Sequence, residues 1–232
     1  MNPTYFSIDT APAVLYGEEN KDVFLFVHGL CGSKEEAARF FETVSPFGFS
    51  VLAIDLPEHG GRTDAKKLVP WDVVPELQAV LRYAREHFST VSLRTVSIGT
   101  WFSLQAFRGE TIKKCLFSSP LLDMEEMIRG LMAHANVSEE RLKDEGEIPT
   151  DLGQTLSWRY LTYVRDHPVS PLCRHTSILY ATEDETIPRK TIDAFVSQGG
   201  CTLTLYEGGR HWLHTEEELS FMREWERRAL SL

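Results

Sequence analysis

The pentapeptide Thr95-Val96-Ser97-Ile98-Gly99 stands where an apolar run gives way to a helical pattern. A serine in a sharp strand-to-helix turn offers an exposed hydroxyl as a nucleophile, and small neighbours two residues away make such a turn possible. The usual pattern is G-x-S-x-G, and here Thr95 replaces the first glycine. On this segment alone, a nucleophilic serine and a buried serine in an ordinary turn are equally good readings. A serine hydroxyl needs a base to take its proton, and the base needs an acid to orient it.

Candidates for both roles occur downstream. The segment Glu207-Gly208-Gly209-Arg210-His211-Trp212 follows a strand pattern, and its two glycines give the loop freedom to carry an imidazole over a sheet edge. His211 is therefore the candidate base, while His214 is expected at the entry of the next helix. The two histidines match an H-x-x-H spacing, but no further ligands are near, so no metal site is expected. The loop from Ala181 to Pro188 offers three acids, Glu183, Asp184 and Glu185, and Asp123 is a fourth after the preceding strand.

A fourth segment, His28-Gly29-Leu30 followed by Cys31-Gly32-Ser33, closes the first apolar strand. A turn there aims the backbone N–H of Leu30 toward the serine, and the N–H of Ile98 completes a two-donor oxyanion hole. Losing one such donor typically costs about 3 kcal/mol in the transition state. The His28 imidazole is read as structural, and Cys31 as a partly buried thiol.

The elements that must position these residues alternate along the chain. Val23–Val27, Val51–Ile54, Thr90–Val96, Lys114–Ser118, Thr176–Ala181 and Cys201–Tyr206 read as strands. The wholly apolar first run fits a strand buried on both faces. Between them lie helical patterns: one opened by a Ser33/Glu36 capping box and running to about Val44, and one from Val73 to Phe88. A third begins at Pro188 as its first residue, and the last is capped by Thr215 and Glu218. The opening segment looks like one or two antiparallel edge strands. Between Pro120 and Pro171 the pattern is helical without a strand, over roughly Met124–Ala133, Ser138–Lys143 and Leu152–Val164. This stretch, about 121–170, is expected to be a small helical cap inserted into one domain spanning 1–232.

Composition bounds the partners. The hydrophobic fraction of 42% and charged fraction of 25% are those of a soluble globular chain. The net charge of −10, spread along the chain, disfavours a nucleic-acid partner, which needs clustered Lys and Arg. No apolar run is long enough for a membrane span. The first residues show no secretory signal, and the four cysteines form no CxxC pair, so reduced thiols and a cytoplasmic setting are expected.

Taken together, Ser97, an acid and His211 occur in that order, each on a loop after an expected parallel strand, at the carboxyl edge where α/β sheets gather catalytic groups. Over nearly its whole length the chain resembles the α/β-hydrolase superfamily. Phe26-Val27-His28-Gly29 is similar to that family's oxyanion strand, and Asp55-Leu56-Pro57-Glu58-His59-Gly60-Gly61-Arg62 to its D-x-P-G-H-G-x-S segment. Ala181–Pro188 resembles its acid loop and Gly209-Arg210-His211 its histidine loop. The departures are Thr95, Glu58 and Arg210, each in place of a small residue.

The resemblance implies a three-layer α/β/α sandwich with a mostly parallel sheet of about eight strands, a helical cap and no cofactor. It singles out Asp184 among the acids. The expected activity is hydrolysis of a small-molecule ester through an acyl-enzyme, by a monomer or homodimer. A thioesterase or peptidase with the same triad, and a binding protein of hydrolase fold without turnover, are the alternatives. Trp101, Trp158 and Tyr160 are candidate pocket residues, although packing of the cap onto the sheet is the stronger reading for most such aromatics.

Overall fold

The computed structural model describes residues 2–19, 21–151 and 153–231. They fall into two compact units, one within residues 2–121 and 170–231, the other within residues 122–169.

The first unit is built on an eight-stranded sheet. Its strands are β1 (Thr4–Ile8), β2 (Ala11–Tyr16), β3 (Asp22–Val27), β4 (Phe49–Ile54), β5 (Thr90–Val96), β6 (Cys115–Ser118), β9 (Thr176–Ala181) and β10 (Cys201–Tyr206). Their order is β1-β2-β4-β3-β5-β6-β9-β10. From β4 to β10 every pairing is parallel, and β2 alone runs against its neighbours. Phe24, Phe26, Val51, Leu116 and Leu179 face one core with Phe40 and Trp225. These last two come from α1 (Ala37–Val44) and α8 (Glu216–Ser231). Strand side chains alternate between faces, and β3 also touches α2 (Pro70–His87) and α3 (Ile98–Ala106) on its other side. Helix α7 (Arg189–Val196) packs against β10. The result is the expected α/β architecture with a mostly parallel sheet.

Two helix starts differ from the sequence expectation. Ser33 makes no side-chain cap, and a short 3-10 turn at Lys34–Glu36 precedes α1. The reason is that Asp55, just beyond β4, takes the Lys34 N–H at 2.8 Å and the Lys34 ammonium at 2.7 Å, so the anchor comes from the sheet. Pro188 is the cap residue of α7 rather than its first helical residue, because its ψ of 132° is extended. The second capping box forms: Glu218 Oε2 accepts from the Thr215 N–H at 2.8 Å, and the Glu218 N–H donates to Thr215 Oγ1 at 3.3 Å.

The second unit contains α4 (Met124–His134), α5 (Glu139–Glu145), β7 (Glu147–Pro149), β8 (Thr155–Ser157) and α6 (Trp158–Asp166). Strands β7 and β8 pair as an antiparallel hairpin, which corrects the expectation of a strand-free stretch. Thr150 Oγ1 donates to the Gln154 carbonyl at 2.7 Å across the turn, a local closure that helical periodicity does not register. The helix expected from Leu152 begins at Trp158, and Leu152 itself lies outside the described residues. Among the described residues no helix is long and apolar enough to cross a membrane.

Candidate active site

Ser97 sits between β5 and α3 with φ 47° and ψ −121°, a backbone conformation that L-residues avoid and that a tight turn imposes. Two close approaches make that turn possible. A Cβ on Gly99 would lie 2.4 Å from the His28 carbonyl oxygen and 2.7 Å from that of Val27, so α3 can abut the end of β3 only with glycine there. A Cβ on Gly29 would come within 3.3 Å of Ser97 Cβ, so the loop after β3 runs directly beside the serine. Thr95, where the family pattern has glycine, is fully buried and shares a hydrogen bond of 2.7 Å with the hydroxyl of Thr100 in α3.

His211, on the loop between β10 and α8, places Nε2 2.9 Å from Ser97 Oγ. Its Nδ1 lies 2.8 Å from Asp184 Oδ2, on the loop after β9. The Asp184 side chain is 0% exposed and that of His211 18%. Asp184 Oδ1 accepts the N–H groups of Thr186 and Ile187 at 2.9 and 2.8 Å, which fixes the carboxylate facing the imidazole. Since the carboxylate only accepts, Nδ1 carries the proton and Nε2 is left to accept from the serine. Sequential order thus becomes a continuous hydrogen-bonded chain.

Neither Asp123 nor Glu185 takes the place of Asp184 at the imidazole. Asp123 caps α4 by accepting from the Glu126 N–H at 2.9 Å. Glu185, another of the candidate acids, accepts the backbone N–H of His211 at 3.3 Å. His214 stands at the entry of α8, its ring stacked on Trp212.

Among the described residues neither the Leu30 nor the Ile98 N–H is hydrogen-bonded within the protein, and both belong to segments adjoining Ser97. The loop bearing Leu30 is held by buried groups. Leu56 donates its N–H to His28 Nε2 at 3.0 Å, so the proton resides on Nδ1 and is donated to the Gly29 carbonyl at 2.7 Å. Burial pushes the His28 imidazole down to about 4, keeping it neutral in this structural role. Cys31 is exposed at φ 62°, not partly buried, because the turn directs it outward. Glu58 takes φ 66°, the left-handed conformation that glycine supplies in the family segment. Its carboxylate is held by the Lys67 ammonium and the Leu68 N–H, each at 2.9 Å.

Two supporting residues had no sequence signal beyond their place after or within a strand. Ser119 follows β6 at φ 44° and donates its hydroxyl to the His211 carbonyl at 2.9 Å. Arg94, buried in β5, donates to the Thr95 carbonyl at 2.7 Å, to Ser118 Oγ at 3.2 Å and to Glu226 Oε1 at 3.0 Å. It ties together the ends of the two strands that lead to Ser97 and Ser119. A cleft of about 710 Å³ opens beside His211, with Phe26, Phe40, Leu219 and Met222 as apolar wall and Arg94 and Glu226 among its polar groups. Trp101 is 2% exposed within α3 and does not line this cleft. Trp158 and Tyr160 are half-buried on α6, in the second unit.

No family model and no curated protein matches the sequence. Solved structures do match over nearly the full length. A hydrolase from Agrobacterium vitis S4, described as putative, superposes with a TM-score of 0.77 at 16% identity, covering 99% of this chain and 98% of that one. Est1E from Butyrivibrio proteoclasticus with bound ferulic acid gives 0.73 at 18% identity, covering 97% and 96%. Alpha/beta hydrolase domain-containing protein 10 from mouse gives 0.74 at 13% identity, covering 96% of each. With the sheet order and the Ser97 turn described above, these likenesses establish that the chain has the α/β-hydrolase fold.

Proposed function

We propose that this protein is a serine hydrolase that cleaves a small carboxylic ester through an acyl-enzyme on Ser97. The observation that carries the reading is the unbroken chain from Ser97 Oγ through the His211 ring to the buried Asp184 carboxylate. His211 Nε2 takes the Ser97 proton as Oγ bonds to the acyl carbon. Collapse of the tetrahedral intermediate breaks the ester C–O bond, and the alcohol leaves with the proton that His211 returns. A water then gives a proton to His211, adds to the acyl carbon, and releases the acid as Ser97 recovers its hydrogen. Asp184 holds the imidazole tautomer and stabilises the imidazolium, without itself being protonated.

The Leu30 and Ile98 N–H groups are the proposed oxyanion donors, a role supported by their lack of internal acceptors. The ferulic acid bound to Est1E supports a carboxylic acid as the product class.

Intact mass after treatment with a fluorophosphonate tests the reading. A single adduct on the native protein, absent from Ser97→Ala, is expected. No adduct on folded native protein would overturn the catalytic assignment.

A further inference from the structure

Three of the four cysteines converge at the amino end of the sheet, the end opposite the triad. Cys115 opens β6 and Cys201 opens β10, and both pair in register with Thr176, the first residue of the intervening strand β9. Parallel neighbours in register point to the same face, so the two thiols flank Thr176. Cys173 lies in the irregular segment just before β9, and its carbonyl accepts from Thr176 Oγ1 at 3.0 Å, which folds the segment back over the strand ends. Its sulfur is 3.6 Å from Cys115 Sγ and 3.7 Å from Thr176 Oγ1.

The two contacting thiols have unlike surroundings. Cys115 is completely buried, and burial pushes its thiol well above the usual range. Cys173 is half-buried, and its hydrogen bond with the Cys115 thiol, opposed by burial and helped by the His175 backbone, brings it down to about 6. Cys201 makes no such contact with Cys173, and burial raises it to about 11. A half-buried thiol of eased ionisation, 3.6 Å from a fully buried one, has the arrangement of an attacking and a resolving cysteine.

We propose that Cys173 and Cys115 form a peroxide-reactive modification site, in which Cys173 is oxidised and Cys115 captures it as an intramolecular disulfide. The Cys173 thiolate attacks the distal oxygen of a hydroperoxide; the O–O bond breaks, the alkoxide or hydroxide leaves and takes a proton, and Cys173 becomes a sulfenic acid. The Cys115 sulfur then attacks Cys173 Sγ, the S–O bond breaks, and the hydroxide leaves as water with the Cys115 proton. Two thiols are oxidised and one peroxide is reduced. The sulfurs must close to about 2.05 Å, and Cys173, outside the strand ladder, is the partner free to move. The site draws on no residue of the triad, so its failure and that of the hydrolase reading are separate.

Reduced full-length protein treated with hydrogen peroxide, then alkylated and digested without reductant, tests the proposal. The expected result is loss of two hydrogen masses from the intact protein and a cross-linked peptide pair joining Cys115 to Cys173. That pair should persist in Cys201→Ser and vanish in Cys173→Ser. In Cys115→Ala, dimedone should trap the sulfenic acid on Cys173. A link from Cys173 to Cys201, or Cys173 unmodified while the exposed Cys31 is oxidised, would overturn it, and the wild-type map decides this even if a variant fails to fold.

Discussion

The side-chain hydroxyls of Thr95 and Thr100 are 2.7 Å apart, both fully buried, on either side of the turn that carries Ser97. A threonine thereby occupies the place of the family's glycine without leaving a polar atom unpaired. Removing one hydroxyl strands the other, at about 1–3 kcal/mol, whereas removing both is nearly neutral. Urea denaturation should therefore show Thr95→Val and Thr100→Val each destabilised, and the double variant less so than either. Additive losses would mean that the pair is not the bond that accommodates Thr95.

Asp184 aligns the imidazole with one oxygen and is itself held by two backbone N–H groups through the other. Asp184→Asn keeps the shape but favours the wrong tautomer, and hydrolysis of a p-nitrophenyl ester should fall by about 10⁴-fold in kcat. Glu183→Gln, at an exposed position in the same loop, should leave the rate unchanged.

Gly99 and Gly130 make a contrasting pair. A methyl at Gly99 meets two backbone carbonyls, while one at Gly130, on the exposed face of α4, meets nothing within 4 Å. Gly99→Ala should lose fluorophosphonate labelling together with stability. Gly130→Ala should gain about 0.5–1 kcal/mol from helix propensity. Thermal denaturation reads both.

Ser119 holds the His211 carbonyl at 2.9 Å, so under the proposed function it is a positioning residue for the base. Ser119→Ala should lower kcat about tenfold, the equivalent of about 1.4 kcal/mol, with KM little changed. A rise in KM alone would place Ser119 in substrate binding instead.

His28 makes stability depend on pH. The unfolded imidazole takes a proton near its ordinary 6.5, whereas the buried one resists until about 4. Its depressed value means that the neutral-state contribution is complete above pH 6.5 and is lost as pH falls toward 4, by about 3 kcal/mol in all. Urea titrations at pH 7 and 4.5 should show a smaller loss of stability for His28→Asn than for wild type.

Much of the site was legible before the fold was known, because its parts obey local rules. β5, β9 and β10 begin and end where their strand patterns do. Their carboxyl ends carry Ser97, Asp184 and His211, since a parallel sheet can place loops at one edge only. A β-hairpin closed by Thr150 and Gln154 was not legible, because a three-residue strand is too short to express a period. Nor was the start of α1, whose anchor Asp55 is distant in sequence.

The sequence by itself determined the order of the strands of the main sheet and the placing of Ser97 and His211 on loops after two of them, both consequences of patterns within a few residues. Only the tertiary structure decided that Glu185 and Ser119 brace His211, that Thr100 satisfies Thr95, and that Cys173 meets Cys115 rather than Cys201. Each of these depends on side chains brought together by sheet order or by the fold-back of a loop. Hydrogen bonds act over about 3 Å, and which atoms come that close is set by packing, not by spacing along the chain.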